Sequence, residues 1–453
     1  MPPQQSYKPQ SSSVIYQVSG VEVARESSEL QSHLKAAYAA GGRHARPRCM
    51  CVPEGVEMYI SRVAGHYLVK RMPGGGRHHD PMCGAYEPPA EVSGLGQVMG
   101  TAITEDPVED TTVLKLDFSL SRVGRRAPVE TDSEPSDSVK SSGSKLSLRG
   151  LLHYLWTEAE FNRWTPGMEG KRDWNVLRYH LLAAAERKEA KGHLLRESLY
   201  LPEVWREGQR EEISKRRRAV FLRKASSKGR KELMLLLAEV EAFDIGRYDY
   251  TLKIKHAPDC AFVVPEDLAK ALGKRFALEI ALFKEAQKAN DEGADARDPR
   301  RGHLIVFGTF SIDMVGAPHM EELTLMFVNR NWLPAEDIFE IELLEQLMTR
   351  HRFVKGLRVN MPASRPLATA VVPDAEGGPT ALYVVRSGVG EEYERVLEEL
   401  ISKSDLTAWI WRLEQGDMPS LPSPGSRRVS GYRSKAQGSD ARSAERVEDG
   451  PAA

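Results

Sequence analysis

Apolar and polar positions alternate at residues 56–62 and again at 66–71, with Gly65 in the turn between them. A period of two on both sides of a turn predicts a β-hairpin. Residues 112–120 alternate in the same way and predict a further strand. At 148 the period changes. Leu148, Leu151, Leu152 and Leu155 share one helical face, and the helix is expected to reach about 161. A turn at 163–167 and a second helix over 174–191 complete a helical hairpin.

From about 231 the pattern becomes α/β. Residues 233–243 and 248–256 predict paired strands, 265–289 a helix, and 303–310 and 323–328 strands. A helix at 335–351, strands at 367–372 and 380–385, a helix at 391–402 and a strand at 408–413 follow. Polar stretches divide the chain into a disordered tail (1–27), a β-rich Cys/His module (28–120, with a short helix at 28–40) and a flexible linker (121–147). A helical, helix-turn-helix-like region (148–230), an α/β domain (231–414) and a second disordered tail (415–453) complete it. The expected class is a multidomain α+β protein.

Composition narrows the function classes only a little. The 453 residues carry a formal net charge of −1, so no global field selects a partner. There is no run of eighteen apolar residues, and residues 1–13 lack the apolar core of a signal peptide. The expected location is cytoplasmic, with no membrane partner. In that reducing compartment, clustered thiols point to a metal site or a redox pair rather than to disulfides.

Three of the four cysteines lie within residues 49–83, in the run Cys49-Met50-Cys51 and then His78-His79-Asp80-Pro81-Met82-Cys83. Three thiolates and one imidazole make a tetrahedral zinc shell. Cys49, Cys51, His79 and Cys83 are the candidate ligands, with His78 the alternative to His79. Gly74, Gly75 and Gly76 let the return segment bend, and Asp80 is placed to orient the ligand imidazole. A closed four-ligand shell has no position for water, so the zinc would be structural. A Cys49–Cys51 redox pair is the competing chemistry. Cys260, alone in an apolar run, reads as a small core residue.

Several segments around this cluster form a pattern: Cys49-x-Cys51, Met58-Tyr59-Ile60, Lys70-Arg71-Met72-Pro73-Gly74, His79-Asp80-Pro81 with Cys83, Tyr86-Glu87-Pro88-Pro89 and Ser93-Gly94-Leu95-Gly96. They resemble an uncharacterised bacterial family called domain of unknown function 1173, marked by three N-terminal cysteines. The segment from Leu155-Trp156 to Asn162-Arg163-Trp164-x-Pro166 and the strand around Leu357 extend the resemblance across residues 45–415, linker excluded. It implies a bacterial protein and agrees with three-thiolate chemistry. It implies no established activity, and no catalytic residue is assigned.

DNA is the candidate macromolecular partner, with a protein partner as the alternative. Arg163, Lys171 and Arg172 in the helical turn, and Lys215, Arg216, Arg217 and Arg218 in the following basic run, are placed to meet phosphates. Trp156, Trp164 and Trp174 read as core anchors. The element order after 265 resembles a restriction-endonuclease-like fold, with Asp374 where such a nuclease holds Mg²⁺. The next strand reads Leu382-Tyr383-Val384-Val385-Arg386 instead of supplying Glu-x-Lys, so the scaffold would be degenerate. Glu336 and Asp337 read as exposed helix-end carboxylates. The expected function is a zinc-stabilised, non-enzymatic interaction or DNA-associated factor; the alternative is a metal-dependent nuclease.

Overall fold

The computed structural model describes residues 14–41, 44–63, 65–123, 143–225, 230–245 and 250–425. The calls on residues 1–13, on 124–142 of the linker and on 426–453 lie outside the described residues.

The expected hairpin forms as Val56–Val63 and His66–Arg71, two strands of a five-stranded antiparallel sheet. Val56, Met58 and Ile60 are buried while Glu57 is exposed, as the alternation requires. The remaining strands are Arg48–Cys49, Ile15–Val18 and Val21–Ala24. The last two correct the expectation of a disordered tail through residue 27. Ser19 and Gly20, with φ of 49° and 84°, turn this hairpin in the conformation that matches strand twist. The helix Leu30–Gly41 closes the sheet with Leu34 fully buried.

The central region departs from a free-standing helical hairpin. Ser147 caps the helix Leu148–Glu158 by accepting from the Gly150 amide. That helix is buried along most of its length, and Leu151, Leu152 and Leu155 share one core with Leu235, Leu237, Ile305 and Phe307. The segments expected to form separate helical and α/β domains therefore have a common interior. The second helix stops at Ala184 rather than 191, and Lys188–Ala190 is instead a strand beside Thr111–Leu114. The strand expected over 112–120 ends at Leu114. Ser121–Val123, assigned to the linker, pairs with Arg230–Glu232, and Leu146 is fully buried.

Beyond 233 the strands close into a barrel. Met234–Ile245 pairs antiparallel with Tyr250–Ile254, which pairs with Phe262–Val264. The helices Glu266–Arg275 and Ala277–Asp291 follow, broken at Phe276 where one helix was expected. Gly302–Ile312 then pairs with both Met234–Ile245 and Pro318–Asn329, and Val263 opposite His319 closes the ring in parallel. The first strand also takes the short strand Leu199–Tyr200 in parallel, and its pairing with the second strand shifts between Val240 and Ala242, a bulge that bends it. Counting its strands in chain order, the ring runs 1-2-3-5-4-1 with helices between the third and fourth. This is the connectivity of an OB barrel. Leu236, Ala238, Leu252, Phe262, Leu304 and Phe310 fill it.

A second sheet takes the rest of the C-terminal region, in the order Thr407–Arg412, Thr380–Val385, Ala370–Val372, Phe353–Lys355 and Arg163–Trp164. Strands expected to share one nuclease-like sheet are thus split between a barrel and this sheet. Residues 415–425, assigned to the tail, pack on the C-terminal sheet: the Gly425 amide donates to the Asp374 carbonyl at 2.7 Å.

Candidate metal centre

Cys49 is held in the middle of the first sheet, opposite Tyr16 on one side and Val56 on the other. The tight turn that follows, ending at Gly55 with φ of 65°, brings Cys51 back toward it. On the return segment, Gly76 lies so close to Glu87 that a Cβ there would stand 2.5 Å from the Glu87 carboxylate. The Asp80 carbonyl then accepts from the Cys83 amide at 2.8 Å and turns the thiol toward the same point.

The ligand atoms of Cys49, Cys51, His79 and Cys83 all lie within 4.8 Å of one another, and all four residues are buried. Cys49 Sγ and Cys83 Sγ are 3.8 Å apart. His79 Nδ1 is 3.3 Å from Cys51 Sγ and 3.8 Å from Cys83 Sγ. A tetrahedral zinc with bonds of about 2.3 Å to sulfur and about 2.0–2.1 Å to nitrogen sets sulfurs about 3.8 Å apart and sulfur about 3.6 Å from nitrogen. The residues fit the ion. His79 is buried whereas His78 is exposed, which separates the two candidate imidazoles.

The electrostatics agree. Hydrogen bonds to Cys51 and Cys83, with burial, push the Cys49 thiol up, while those from Cys49 and Cys51 pull Cys83 down. Thiols this close compete for protons, and a divalent cation replaces those protons. The Ala85 amide donates to Cys83 Sγ at 3.4 Å. Asp80 does not orient the imidazole; its carboxylate accepts from the Met82 amide at 2.8 Å and shapes the ligand loop. All four cysteines are free thiols, and Cys260 sits half-buried against the barrel core, away from the cluster.

The family described as Protein of unknown function (DUF1173) matches residues 16–414. The chain belongs to that family. No curated protein and no solved structure matches it. The matched span runs from the first sheet to the end of the C-terminal sheet, so the Cys/His cluster and the barrel both lie inside the family's common region.

Within this family member, two of the basic residues singled out from sequence brace the fold. Arg163 Nη2 donates to the Tyr86 carbonyl at 2.6 Å. Arg172 donates to the carbonyls of Phe161 at 3.1 Å and Asn331 at 3.2 Å, and also to that of Arg163. These guanidiniums serve interior carbonyls, so they are withdrawn from phosphates; Lys171 beside them is exposed. On the helix Arg210–Lys224, Arg217 is buried and pairs with Asp259 at 2.6 Å, and Arg216 pairs with Glu203 at 2.7 Å. Lys215 and Arg218 face solvent.

The nuclease-like positions are also engaged. Asp374 lies 3.0 Å from His351 Nδ1 and accepts from the Arg352 amide at 2.9 Å. Glu336 and Asp337 are not free helix ends. Arg386 reaches Asp337 at 2.6 Å and Glu336 at 3.0 Å, and Arg358 meets Glu336 at 2.8 Å. Asp337 also caps the helix Ile338–Met348. Sequence reading missed Arg352, whose Nη1 donates to the Met82 carbonyl at 2.6 Å, because nothing local marks a residue that acts so far along the chain. Among the described residues, no helix is long and apolar enough to cross a membrane.

Proposed function

We propose that this chain is a non-catalytic binding protein for single-stranded nucleic acid, with its N-terminal sheet held by a structural zinc. The observation that carries the nucleic-acid reading is the barrel of residues 234–329 with its OB connectivity. Barrels of that kind present the outer face of the second and third strands to oligonucleotides. This is a fold-level analogy, and the surface supports it. Lys253 is exposed on the second strand, Lys255 just after it pairs with Glu239 at 2.9 Å, and Lys215, Arg218 and Arg223 are exposed on the neighbouring helix, whose Phe221 packs against Phe262 and Phe310 of the barrel. Four protein ligands complete a tetrahedron, so the zinc itself offers no position for a reacting water.

Fluorescence anisotropy of zinc-loaded full-length protein with single-stranded and duplex oligonucleotides, across a salt series, tests the reading. Binding is expected to favour single strands and to weaken steeply with salt. The double substitution Arg218→Glu, Lys253→Glu is expected to weaken it by about tenfold or more. Binding that ignores both salt and these substitutions, or strand cleavage with Mg²⁺, contradicts the proposal and favours the metal-dependent nuclease.

A further inference from the structure

The two edges of the C-terminal sheet differ. Arg163–Trp164 at one end is two residues long. Thr407–Arg412 at the other is six residues long and contains no proline, glycine or lysine. It pairs in parallel with Thr380–Val385 without a register shift. Edge strands in natural proteins are kept short, bulged or charged, because unpaired backbone groups recruit another strand. The one charged side chain of this edge, Arg412, is paired with Glu394.

The ladder fixes which backbone groups are spare. The Thr407 amide donates to the Pro379 carbonyl at 3.1 Å. Every second residue of a parallel pair bonds inward, so Thr407, Trp409 and Trp411 serve the inner strand. The amides of Ala408, Ile410 and Arg412 and the carbonyls of Ala408 and Ile410 point outward, and among the described residues they have no partner. Both faces beside this edge are apolar. Ala408 and Ile410 lie with Tyr393, Leu397 and Ile401 of the helix Glu391–Ser402. Trp409 and Trp411 lie on the opposite face with Met418 and Leu421, and the exposed Phe339 meets the Trp411 ring edge-on at 5.8 Å. The spare hydrogen-bonding groups thus lie between two apolar layers.

We propose that this edge pairs antiparallel with the same edge of a second copy, joining two five-stranded sheets into one. The strand is self-complementary in the register that its outward groups allow. Ile410 stands opposite Ile410 of the second copy, and the two exchange a pair of hydrogen bonds. Each Arg412 amide meets the Ala408 carbonyl across the two-fold axis. Trp409 then stands opposite Trp411 of the other copy, twice, in the closer non-hydrogen-bonded position that suits aromatic pairs. No like charges are opposed, since Arg412 faces Ala408 and Thr407 faces Leu413. A two-fold axis normal to the sheet keeps each apolar face beside its like. A polar or acidic peptide would match the backbone but not these faces. The contact depends neither on the zinc nor on the barrel.

The test is analytical ultracentrifugation of zinc-loaded full-length protein over a concentration series, with hydrogen exchange read by mass spectrometry on the same samples. A dimer is expected, and the peptide spanning 407–412 is expected to exchange more slowly as it forms. Ile410→Pro removes an outward N–H and leaves the inner ladder intact, so it is expected to give a monomer with the parent's zinc content. Ala408→Lys places a charge on the edge and is expected to weaken dimerisation by about tenfold or more, which keeps the test open should Ile410→Pro fail to fold. A monomer at every concentration overturns the proposal, as does a dimer that neither substitution weakens. Protection of 407–412 that does not vary with concentration also overturns it, because the edge is then covered within one chain.

Discussion

Arg352 Nη1 donates to the carbonyl of Met82 at 2.6 Å, tying the start of an inner strand of the C-terminal sheet to the residue that precedes the candidate ligand Cys83. Asp374 holds the Arg352 amide at 2.9 Å, and Arg163 grips the same loop at the Tyr86 carbonyl. The loop that carries His79 and Cys83 is thus fastened from a part of the chain far away in sequence. Outer partners of metal ligands typically contribute about 10–100-fold in metal affinity. Arg352→Ala is expected to keep one zinc per chain but to release it about tenfold faster to a chelator, followed with a chromogenic zinc indicator. An unchanged release rate would contradict the coupling.

The cysteines sort into two kinds. Cys83→Ser is expected to lose the metal and to melt the first sheet well below the rest of the protein, because metal binding and folding of such a site are coupled. Cys260→Ser, on the flank of the barrel core, is expected to keep its zinc and to cost about 1 kcal/mol. Likewise His79→Ala should lose zinc and His78→Ala should not. Elemental analysis beside thermal melts of the four variants checks the pattern.

Arg172 is read as a brace. Its guanidinium serves carbonyls of Phe161, Arg163 and Asn331, and desolvation holds it down at about 10. Arg172→Ala leaves those acceptors without a donor and is expected to destabilise by about 3 kcal/mol in chemical denaturation. Lys171→Ala, at the exposed neighbour, is expected to stay within about 0.5 kcal/mol of the parent.

Glu105 gives a pH dependence. Its carboxyl is pushed up to about 7 in the folded chain and returns to about 4.3 when unfolded. The folded state binds that proton more tightly. The resulting stabilisation is full below about pH 4 and is lost as the pH rises through about 7. Glu105→Gln is expected to flatten the stability profile between these limits and to raise Tm at about pH 8, with little change at about pH 4. Thermal melts across that range check the sign; a lower Tm at the alkaline end would contradict it.

What could be read from sequence follows the range of the forces involved. The hairpin at 56–71 was legible because Val56, Met58 and Ile60 declare its buried face locally. The Cys/His cluster was legible because few residue types suit a metal ion, whichever elements carry them, and the fold buries those four residues together. The barrel was not legible: its closure rests on Leu235 and Leu237 pairing with Thr309 and Phe307, a distant match that no local period records. Arg163 and Arg172 were misread for a related reason. A sequence shows the charge but not the carbonyls of Tyr86 and Asn331 waiting for it. The strands at 15–24 were too short to give a period.

The most direct test of the central claim is X-ray absorption at the zinc edge on purified full-length protein, with elemental analysis of the same sample. The prediction is one zinc per chain in a shell of three sulfurs at about 2.3 Å and one nitrogen at about 2.0–2.1 Å. Protein that is folded and free of metal, or a shell of oxygen and nitrogen without sulfur, would contradict it.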